Sequence, residues 1–210
     1  MSYIMNKIVV IDFETTGLSP DLGDRATEVA AVIIDGNQIV DKYQSLMNAG
    51  VTIPSFIQQL TGISNAMIRK APPCQQVMQE LADFISDSPL LAHNAAFDTK
   101  FLDAEWSRIH YKRRQAFACS MLLSRRLYPN FPDHKLGTLV HHLKLPTTGK
   151  YHRALADAEM TASLLIKIKY DLQQKYKLSS VPHELLCRLQ EVPKSGIDNA
   201  IKKAKLKLGL

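Results

Sequence analysis

Apolar residues in the first part of the chain run together or alternate with polar ones, as is typical of β-strands. Three such stretches follow one another: KIVVID, TEVAAVIIDG and QIVDKYQSLMN. Between the last two, the residues Asp-Gly-Asn at 35–37 favour a tight turn, because these residue types tolerate the positive φ angles of hairpin turns. The pattern therefore predicts three strands, of which the second and third form a hairpin.

The rest of the chain carries apolar residues mainly at helical spacing. One short apolar strand, PLLAH, interrupts this pattern and leads into a helix through Asn94, a residue type favoured at helix N-caps. Predicted helices cover residues 74–86, a segment after Asn94 with Phe97, Phe101 and Leu102, residues 119–127, residues 135–143, and residues 154–177. Strands first and then strands alternating with helices predict an α/β domain with a mixed central sheet flanked by helices.

The pattern changes after about residue 178. Pro193, Ser195 and Gly196 interrupt it again before the basic, weakly amphipathic stretch IDNAIKKAKLKLGL. We therefore expect a main domain over residues 1–178 and a C-terminal helical basic extension over residues 179–210. The end of this extension is either a tail that contacts nucleic acid or a protein partner, or a solvated helix without such a role.

Composition narrows the function classes. Of the 210 residues, 46% are hydrophobic and 22% are charged, which is the balance of a globular protein. No stretch approaches ~20 consecutive apolar residues, and the start MSYIMNK lacks the pattern of a secretory signal. We therefore expect a cytoplasmic protein that does not bind membranes.

Charge and cysteine content narrow the classes further. The formal net charge of +6 favours an acidic partner, and nucleic acid is the commonest one. The three cysteines are widely spaced and form no CxxC pair, which argues against a disulfide framework and against a zinc site.

Two acids, Asp12 and Glu14, end the first predicted strand in the segment IVVIDFETTGL. At positions i and i+2 of a strand, their side chains project from the same face. Adjacent carboxylates repel and raise each other's pKa unless a cation neutralises them, and oxygen ligands favour Mg²⁺ or Mn²⁺. Gly17 lets the backbone turn sharply and would let a ligand approach closely. Read alone, the pair is more typical of solvated acids at a strand end than of a metal site.

Further acids occur at two helix starts. Asp98 ends the segment HNAAFD, and the segment HRALADA places His152 in a loop just ahead of Asp157. Read alone, Asp98 is a helix-dipole partner and the His–Asp pair a loop hydrogen bond. Together, three separate segments deliver four carboxylates and a side chain of the type that titrates near neutrality. This set suits two divalent metal ions, phosphodiester hydrolysis by in-line attack of water, and a histidine general base.

With these residues in view, the sequence resembles a known family. The segments VIDFETTGL, LTGIS, LLAHNAAFD and YHRALADA match in order the motifs of the DEDDh exonucleases, which include the proofreading epsilon subunit of bacterial DNA polymerase III. The resemblance covers about residues 7–170. It implies a ribonuclease-H-like fold, an exonuclease domain within residues 1–178, and stepwise release of nucleoside monophosphates from a 3′ end.

The resemblance also implies roles for individual residues. The implied ligands of two divalent metal ions, Mg²⁺ or Mn²⁺, are Asp12, Glu14, Asp98 and Asp157, and the implied general base is His152. The implied substrate contacts are Thr15, Thr16, Gly17 and Leu18 around the terminal nucleotide, with Gly62, Ile63, His93, Asn94 and Phe97 around its base and sugar. An aromatic face such as that of Phe97 stacks on any base, although Phe97 and Ile63 are equally compatible with core positions.

Basic and histidine-rich stretches are less informative. The cations of Lys112–Arg114 and of Arg125 and Arg126 are candidates for phosphate contacts upstream of the scissile bond, and equally for solvated surfaces. His141 and His142 lie in a predicted helix without a matching partner, so we assign them no metal.

Three functions follow from these observations. The first is a metal-dependent 3′–5′ exonuclease acting on single-stranded or frayed DNA ends, alone or as a polymerase subunit. The second keeps the chemistry and changes the substrate to RNA, since the residue that would sense a 2′-OH is not identifiable from sequence. The third is a non-catalytic nucleic-acid-binding module, which the competent residues at all five catalytic positions disfavour.

Overall fold

A five-stranded mixed sheet organises the computed structural model, which describes residues 7–147 and 152–210. The strands are β1 (Lys7–Thr15), β2 (Ala26–Asp35), β3 (Gln38–Leu46), β4 (Leu90–Ala92) and β5 (Phe117–Cys119). Their order in the sheet is β3-β2-β1-β4-β5, so that β1 is central. Strands β1, β2 and β3 pair antiparallel, whereas β4 and β5 continue the sheet in parallel with β1. The predicted mixed sheet and the β2–β3 hairpin are confirmed.

Helices cover both faces of the sheet. They are α1 (Ser55–Thr61), α2 (Asn65–Lys70), α3 (Cys74–Ile85), α4 (Ala95–Ser107), α5 (Ser120–Leu127), α6 (Leu136–His142), α7 (Ala154–Tyr176), α8 (His183–Glu191) and α9 (Ile197–Leu208). The helices predicted between residues 74 and 177 are present with nearly the expected bounds. The sequence pattern missed α1 and α2, because six or seven residues are too few to show a helical period.

Alternation along β1 divides the core into two layers. Ile8 and Val10 pack with α7 on one face, whereas Val9, Ile11 and Phe13 pack with α3 and α4 on the other. The same alternation places Asp12 and Glu14 on the face of the sheet that packs with α7, at the end of β1 where the strand leaves the core. The two acids therefore replace apolar residues on the face that the start of α7 covers.

Residues 179–210 pack on the same domain. The apolar side chains of α8 and α9 belong to the cluster formed by β1, β2 and α7. Gln190 of α8 accepts a hydrogen bond from Cys119 N (2.6 Å) and donates one to Phe117 O (3.0 Å), which satisfies the backbone of edge strand β5. The apolar core thus extends beyond residue 178, and a functional division at that position stays a prediction. Among the described helices, none combines the length and the apolar character that crossing a membrane requires.

Candidate active site

Four carboxylates and one histidine meet at one edge of the sheet. Asp12 and Glu14 come from the end of β1, Asp98 from the first turn of α4, and Asp157 from the first turn of α7. Together with His152 they line one cavity of about 240 Å³. The structure therefore brings together all five residues that the family resemblance implied.

The sheet explains this convergence. Strands β1 and β4 are parallel neighbours, so the end of β1 and the helix that follows β4 lie at the same edge. The Asp98 carboxylate accepts a hydrogen bond from Phe13 N (3.2 Å), which ties α4 to β1 between the two acids. Helix α7 packs across β1 and β2, and its first turn brings Asp157 to the same place.

Few positive charges lie near this cluster, and its carboxyl groups have raised pKa values. Burial, and next the negative charges of the neighbouring carboxylates, raise the pKa of Asp12 well above its usual range. Burial and the nearby Asp157 and Glu28 carboxylates raise the pKa of Glu14 to about 8, although Arg153 opposes this. Burial also raises the pKa of Asp98 and that of Asp157. Four carboxyl groups with raised pKa values are suited to binding divalent cations, because the cations would supply the positive charge that stabilises the ionised carboxylates.

His152 occupies an exposed position just before α7. Its backbone is left-handed, with φ of 63°, and its N–H donates a hydrogen bond to Asp157 Oδ2 (2.9 Å). One side-chain atom each from Glu14, His152 and Asp157 lies within 4.8 Å of the other two. This spacing would allow His152 to act on a molecule held by the carboxylates, or to share a cation with them. Residues 148–151, which include Tyr151 of the YHRALADA motif, lie outside the described part of the chain.

Apolar side chains line the small cavity together with the carboxylates. Of the predicted substrate contacts, Thr15, Gly17, Leu18, His93 and Phe97 line this cavity, and Leu18 is 79% exposed. Ile57, Leu60 and Thr61 of α1 line it as well. Sequence reasoning missed these three because it did not predict α1. A flat base in this cavity would contact its apolar side chains and would lie close to the carboxylates.

Other predicted contacts have different surroundings. Ile63 is fully buried in a small cluster with Ile53 and Ile68, so its side chain is not available to a nucleotide. Gly62 ends α1 with φ of 75°, a conformation that favours glycine, and does not line the cavity. The turn between α1 and α2 points the Ile63 side chain into the core, so a contact of Gly62 or Ile63 with a substrate would have to use the backbone and stays a prediction.

The segment after β1 is held by its own side chains. A Cβ atom on Gly17 would lie 2.4 Å from the Asp24 carboxylate, so the glycine makes room for Asp24, and the close approach of a ligand to Gly17 stays a prediction. The Thr16 hydroxyl accepts a hydrogen bond from Arg25 N (3.0 Å) and contacts Asp24, and Asp24 also accepts one from Ser19 N (3.0 Å). Thr16 therefore shapes this segment, and its side chain does not line the cavity.

His93 lines both the small cavity and a larger one, and Asn94 lines the larger one. The His93 ring nitrogens contact Ser120 Oγ (2.9 Å) and His134 O (3.0 Å), and burial lowers the pKa of His93 to about 4. His93 is therefore neutral at pH 7, and both nitrogens are occupied within the protein. Asn94 is the N-cap residue of α4, as predicted; its backbone is left-handed, and its side chain makes no capping hydrogen bond.

The larger cavity, of about 720 Å³, shares Asp12, His152 and Asp157 with the small one. Its outer wall carries two exposed cations, Arg125 and Lys135. The other basic residues that were candidates for phosphate contacts have different surroundings. Arg126 donates to Val192 O (2.6 Å), and Lys112 and Arg113 line a separate cavity that contains none of the clustered carboxylates. Only part of the predicted phosphate-contact set thus lies beside the candidate site.

Known proteins with similar sequences align with most of this chain. The "3′-5′ exonuclease DinG" of Bacillus subtilis is 39% identical over 176 residues, which cover 81% of this chain but only 18% of that protein. The "DNA polymerase III subunit epsilon" of Aquifex aeolicus is 34% identical over 169 residues, which cover 80% of this chain and 83% of that protein.

Solved structures agree with the fold. "Exonuclease X in complex with 5′ overhanging duplex DNA" superposes with a TM-score of 0.67 at 25% identity, over 87% of this chain and 99% of that one. The nuclease domain of 3′hExo, described as a DEDDh family member bound to rAMP, has a TM-score of 0.69 at 21% identity, over 86% and 98%. The family profile described as RNase_T, Exonuclease, matches residues 9–165. The chain therefore belongs to this exonuclease family.

Proposed function

We propose that this protein is a metal-dependent 3′–5′ exonuclease that releases nucleoside monophosphates from DNA, with a preference for single-stranded or frayed 3′ ends. The observation that carries the proposal is the single small cavity that joins four carboxylates and His152 to apolar side chains. The polymerase III epsilon subunit, which aligns over most of its length, supports DNA as the substrate and a polymerase as a partner. A cytoplasmic location stays a prediction.

Two divalent cations, Mg²⁺ or Mn²⁺, would be held by Asp12, Glu14, Asp98 and Asp157. When bound, they would lower the pKa of the attacking water and offset the charge on the phosphodiester. The cluster is suited to this because burial and neighbouring negative charges raise the pKa of its acids, and few cations lie near them.

His152 would take the proton from the attacking water. Its backbone is tied to Asp157 while its side chain is exposed beside the carboxylates, so a proton accepted there can pass on to solvent. Both cavities include His152, which supports a position within reach of a scissile bond at their junction.

The two cavities suggest how the strand lies. The terminal base would pack on Leu18, Leu60 and Phe97 in the small cavity. The preceding nucleotides would then occupy the larger cavity, where Arg125 and Lys135 face the backbone phosphates. Residues 1–178 supply every residue of this arrangement, and residues 179–210 support the sheet behind it.

End-labelled substrates test the proposed polarity. With Mg²⁺ or Mn²⁺, linear single-stranded DNA should yield mononucleotides from its 3′ end, and a 3′-terminal phosphate should slow this sharply. Circular single-stranded DNA of the same sequence should resist. Equal cleavage of circles would indicate an endonuclease. Faster hydrolysis of RNA than of DNA would make the protein an exoribonuclease, and binding without hydrolysis would make it a binding module.

Arg125→Ala should weaken substrate binding with little effect on the chemical step. An exposed cation that contacts a phosphate contributes to affinity and to its salt dependence, so we expect KM for single-stranded DNA to rise while kcat stays within ~2-fold. Lys112→Ala is the matched control, because Lys112 is an equally exposed cation beside the separate cavity. Equal KM values for the two variants would show that Arg125 does not contact the bound DNA.

A further inference from the structure

A fifth carboxylate, Glu28, lies beside the proposed metal ligands. It is on β2, directly opposite Glu14 in the β1–β2 pairing, and is fully buried. Its charge contributes to the raised pKa of Glu14 and to that of Asp157. The proposed mechanism does not use it, so its presence in an already acidic cluster calls for another role.

Unlike the other acids of the cluster, Glu28 has a complete set of hydrogen-bond donors. Oε1 accepts from Arg153 Nη2 (2.7 Å) and Gln44 Nε2 (2.7 Å). Oε2 accepts from Arg153 Nε (3.1 Å) and Ala154 N (3.1 Å). With both oxygens engaged, Glu28 is an anchor for other groups and has no free oxygen to offer a cation. We call the Glu28–Arg153 pair the clasp.

The clasp fixes the chain immediately after His152. Arg153 is the N-cap residue of α7, and Ala154 is its first residue, so both contacts are made at the helix start. His152 itself is left-handed, a conformation that is disfavoured for a residue with a Cβ atom and persists only when its surroundings impose it. The clasp on one side and the hydrogen bond to Asp157 Oδ2 on the other impose it here.

We propose that Glu28 and Arg153 are positioning residues that hold His152 at the carboxylate cluster. The inference rests on the proposed function, in which His152 is the general base. Arginine is required because its guanidinium gives two parallel N–H donors to one carboxylate, which a lysine ammonium cannot reproduce. The Coulombic effect of Arg153 on Glu14 is a second consequence of the same placement.

The fold contains a matched pair that serves as a control. Arg25 donates to Glu105 through Nε (2.8 Å) and Nη2 (2.8 Å), and the following residue, Ala26, also donates its N–H to that carboxylate (3.3 Å). The Glu105 side chain is as buried as that of Glu28. Neither Arg25 nor Glu105 lines a cavity that contains the clustered carboxylates. The two arginines therefore have the same local structural role at different places.

Kinetics of Arg153→Lys, Glu28→Gln and Arg25→Lys separate positioning from general stability. We expect the first two variants to lower kcat by ~10–10²-fold, the scale on which displaced catalytic groups lose rate. KM for single-stranded DNA and the Mn²⁺ affinity should stay within ~3-fold of wild type. Arg25→Lys should lower the melting temperature comparably and leave kcat within ~2-fold. An equal loss of kcat in Arg25→Lys, or no loss in Arg153→Lys, would overturn the proposal.

A double variant and hydrogen exchange complete the test. If Glu28 and Arg153 act as one unit, Glu28→Gln/Arg153→Lys should be no slower than the slower single variant, whereas multiplying effects would show independent roles. Backbone amides of residues 152–154 should exchange faster in both single variants than in Arg25→Lys, measured without metal or DNA. Unchanged exchange would contradict the clasp. A wild-type protein without nuclease activity would instead defeat the proposed function and leave this readout valid.

Discussion

Asp12→Ala is expected to abolish cleavage of end-labelled single-stranded DNA while the fold stays intact. Asp12 is the acid on which burial and the charges of Asp98 and Asp157 act together, so it is central to the cluster. Its removal takes away one of the four proposed metal ligands and should reduce Mn²⁺ binding, which isothermal titration measures. Product release on a gel, with Mg²⁺ or Mn²⁺ supplied, gives the loss of activity.

The matched control for this variant is Asp87→Ala. Asp87 is an exposed acid just before β4, at the opposite end of that strand from Asp98, and its removal should leave the rate unchanged. Circular dichroism shows whether both variants keep the fold. Undiminished hydrolysis by Asp12→Ala would remove the carboxylate cluster from the mechanism.

Stability without metal provides a second readout for Asp12→Ala. A carboxyl group with a raised pKa in the folded state stabilises the fold below its unfolded pKa, and this contribution is lost as pH rises through the folded pKa. For Glu14 the loss extends from its ordinary value of 4.5 to about 8. Wild-type protein in EDTA should therefore melt at a lower temperature at pH 8 than at pH 7, and Mn²⁺ should reverse this.

In Asp12→Ala the same pH change should have a smaller effect, because one repelling carboxylate is gone. His93 and His183, whose pKa values burial lowers, contribute in the opposite direction, and most of that contribution is complete by pH 7. A wild-type melting temperature that does not change between pH 7 and pH 8 would contradict the burial and mutual repulsion of these carboxylates, on which the metal assignment rests.

His152→Ala is expected to lower kcat by ~10²–10⁴-fold, the usual contribution of a positioned general base, with a smaller effect on substrate affinity. The imidazole is exposed, whereas the carboxylates beside it are partly or fully buried. Metal binding should therefore survive the substitution. The acidic limb of the wild-type pH–rate profile should be absent in the variant, because the group that must lose its proton has been removed.

His110→Ala is a matched control for His152→Ala. His110 is also exposed and left-handed, with φ of 57°, but it lines a separate cavity. Its substitution should change neither kcat nor the pH–rate profile. Isothermal titration with Mn²⁺ distinguishes the roles of His152, since the spacing of Glu14, His152 and Asp157 would also suit a shared cation. Lost Mn²⁺ affinity would make His152 a ligand, and an unchanged acidic limb would place the base elsewhere.

Residue patterns predicted the elements that are long or strongly periodic. The three strands β1–β3 and the helices from α3 to α7 follow from alternation, helical spacing and the turn at residues 35–37. The same patterns identified Asp12, Glu14, Asp98 and Asp157, because each acid interrupts or begins a regular element. The missed elements β5, α1 and α2 are short, and α1 and α2 are held by the contact of Ile53, Ile63 and Ile68 in a tertiary cluster.

Tertiary structure decided the features that depend on distant partners. Asp24 occupies the space beside Gly17, His134 O occupies a nitrogen of His93, and residues 179–210 join the core, although none of these contacts has a local pattern. Glu28 is the clearest case. In the sequence it is one acid in an apolar strand, and its partner Arg153 lies 125 residues further along. The sequence alone thus determined which acids lie at the ends of strands and helices. Burial and hydrogen bonding depend on packing between remote segments, and they decided which acids repel one another and which are neutralised.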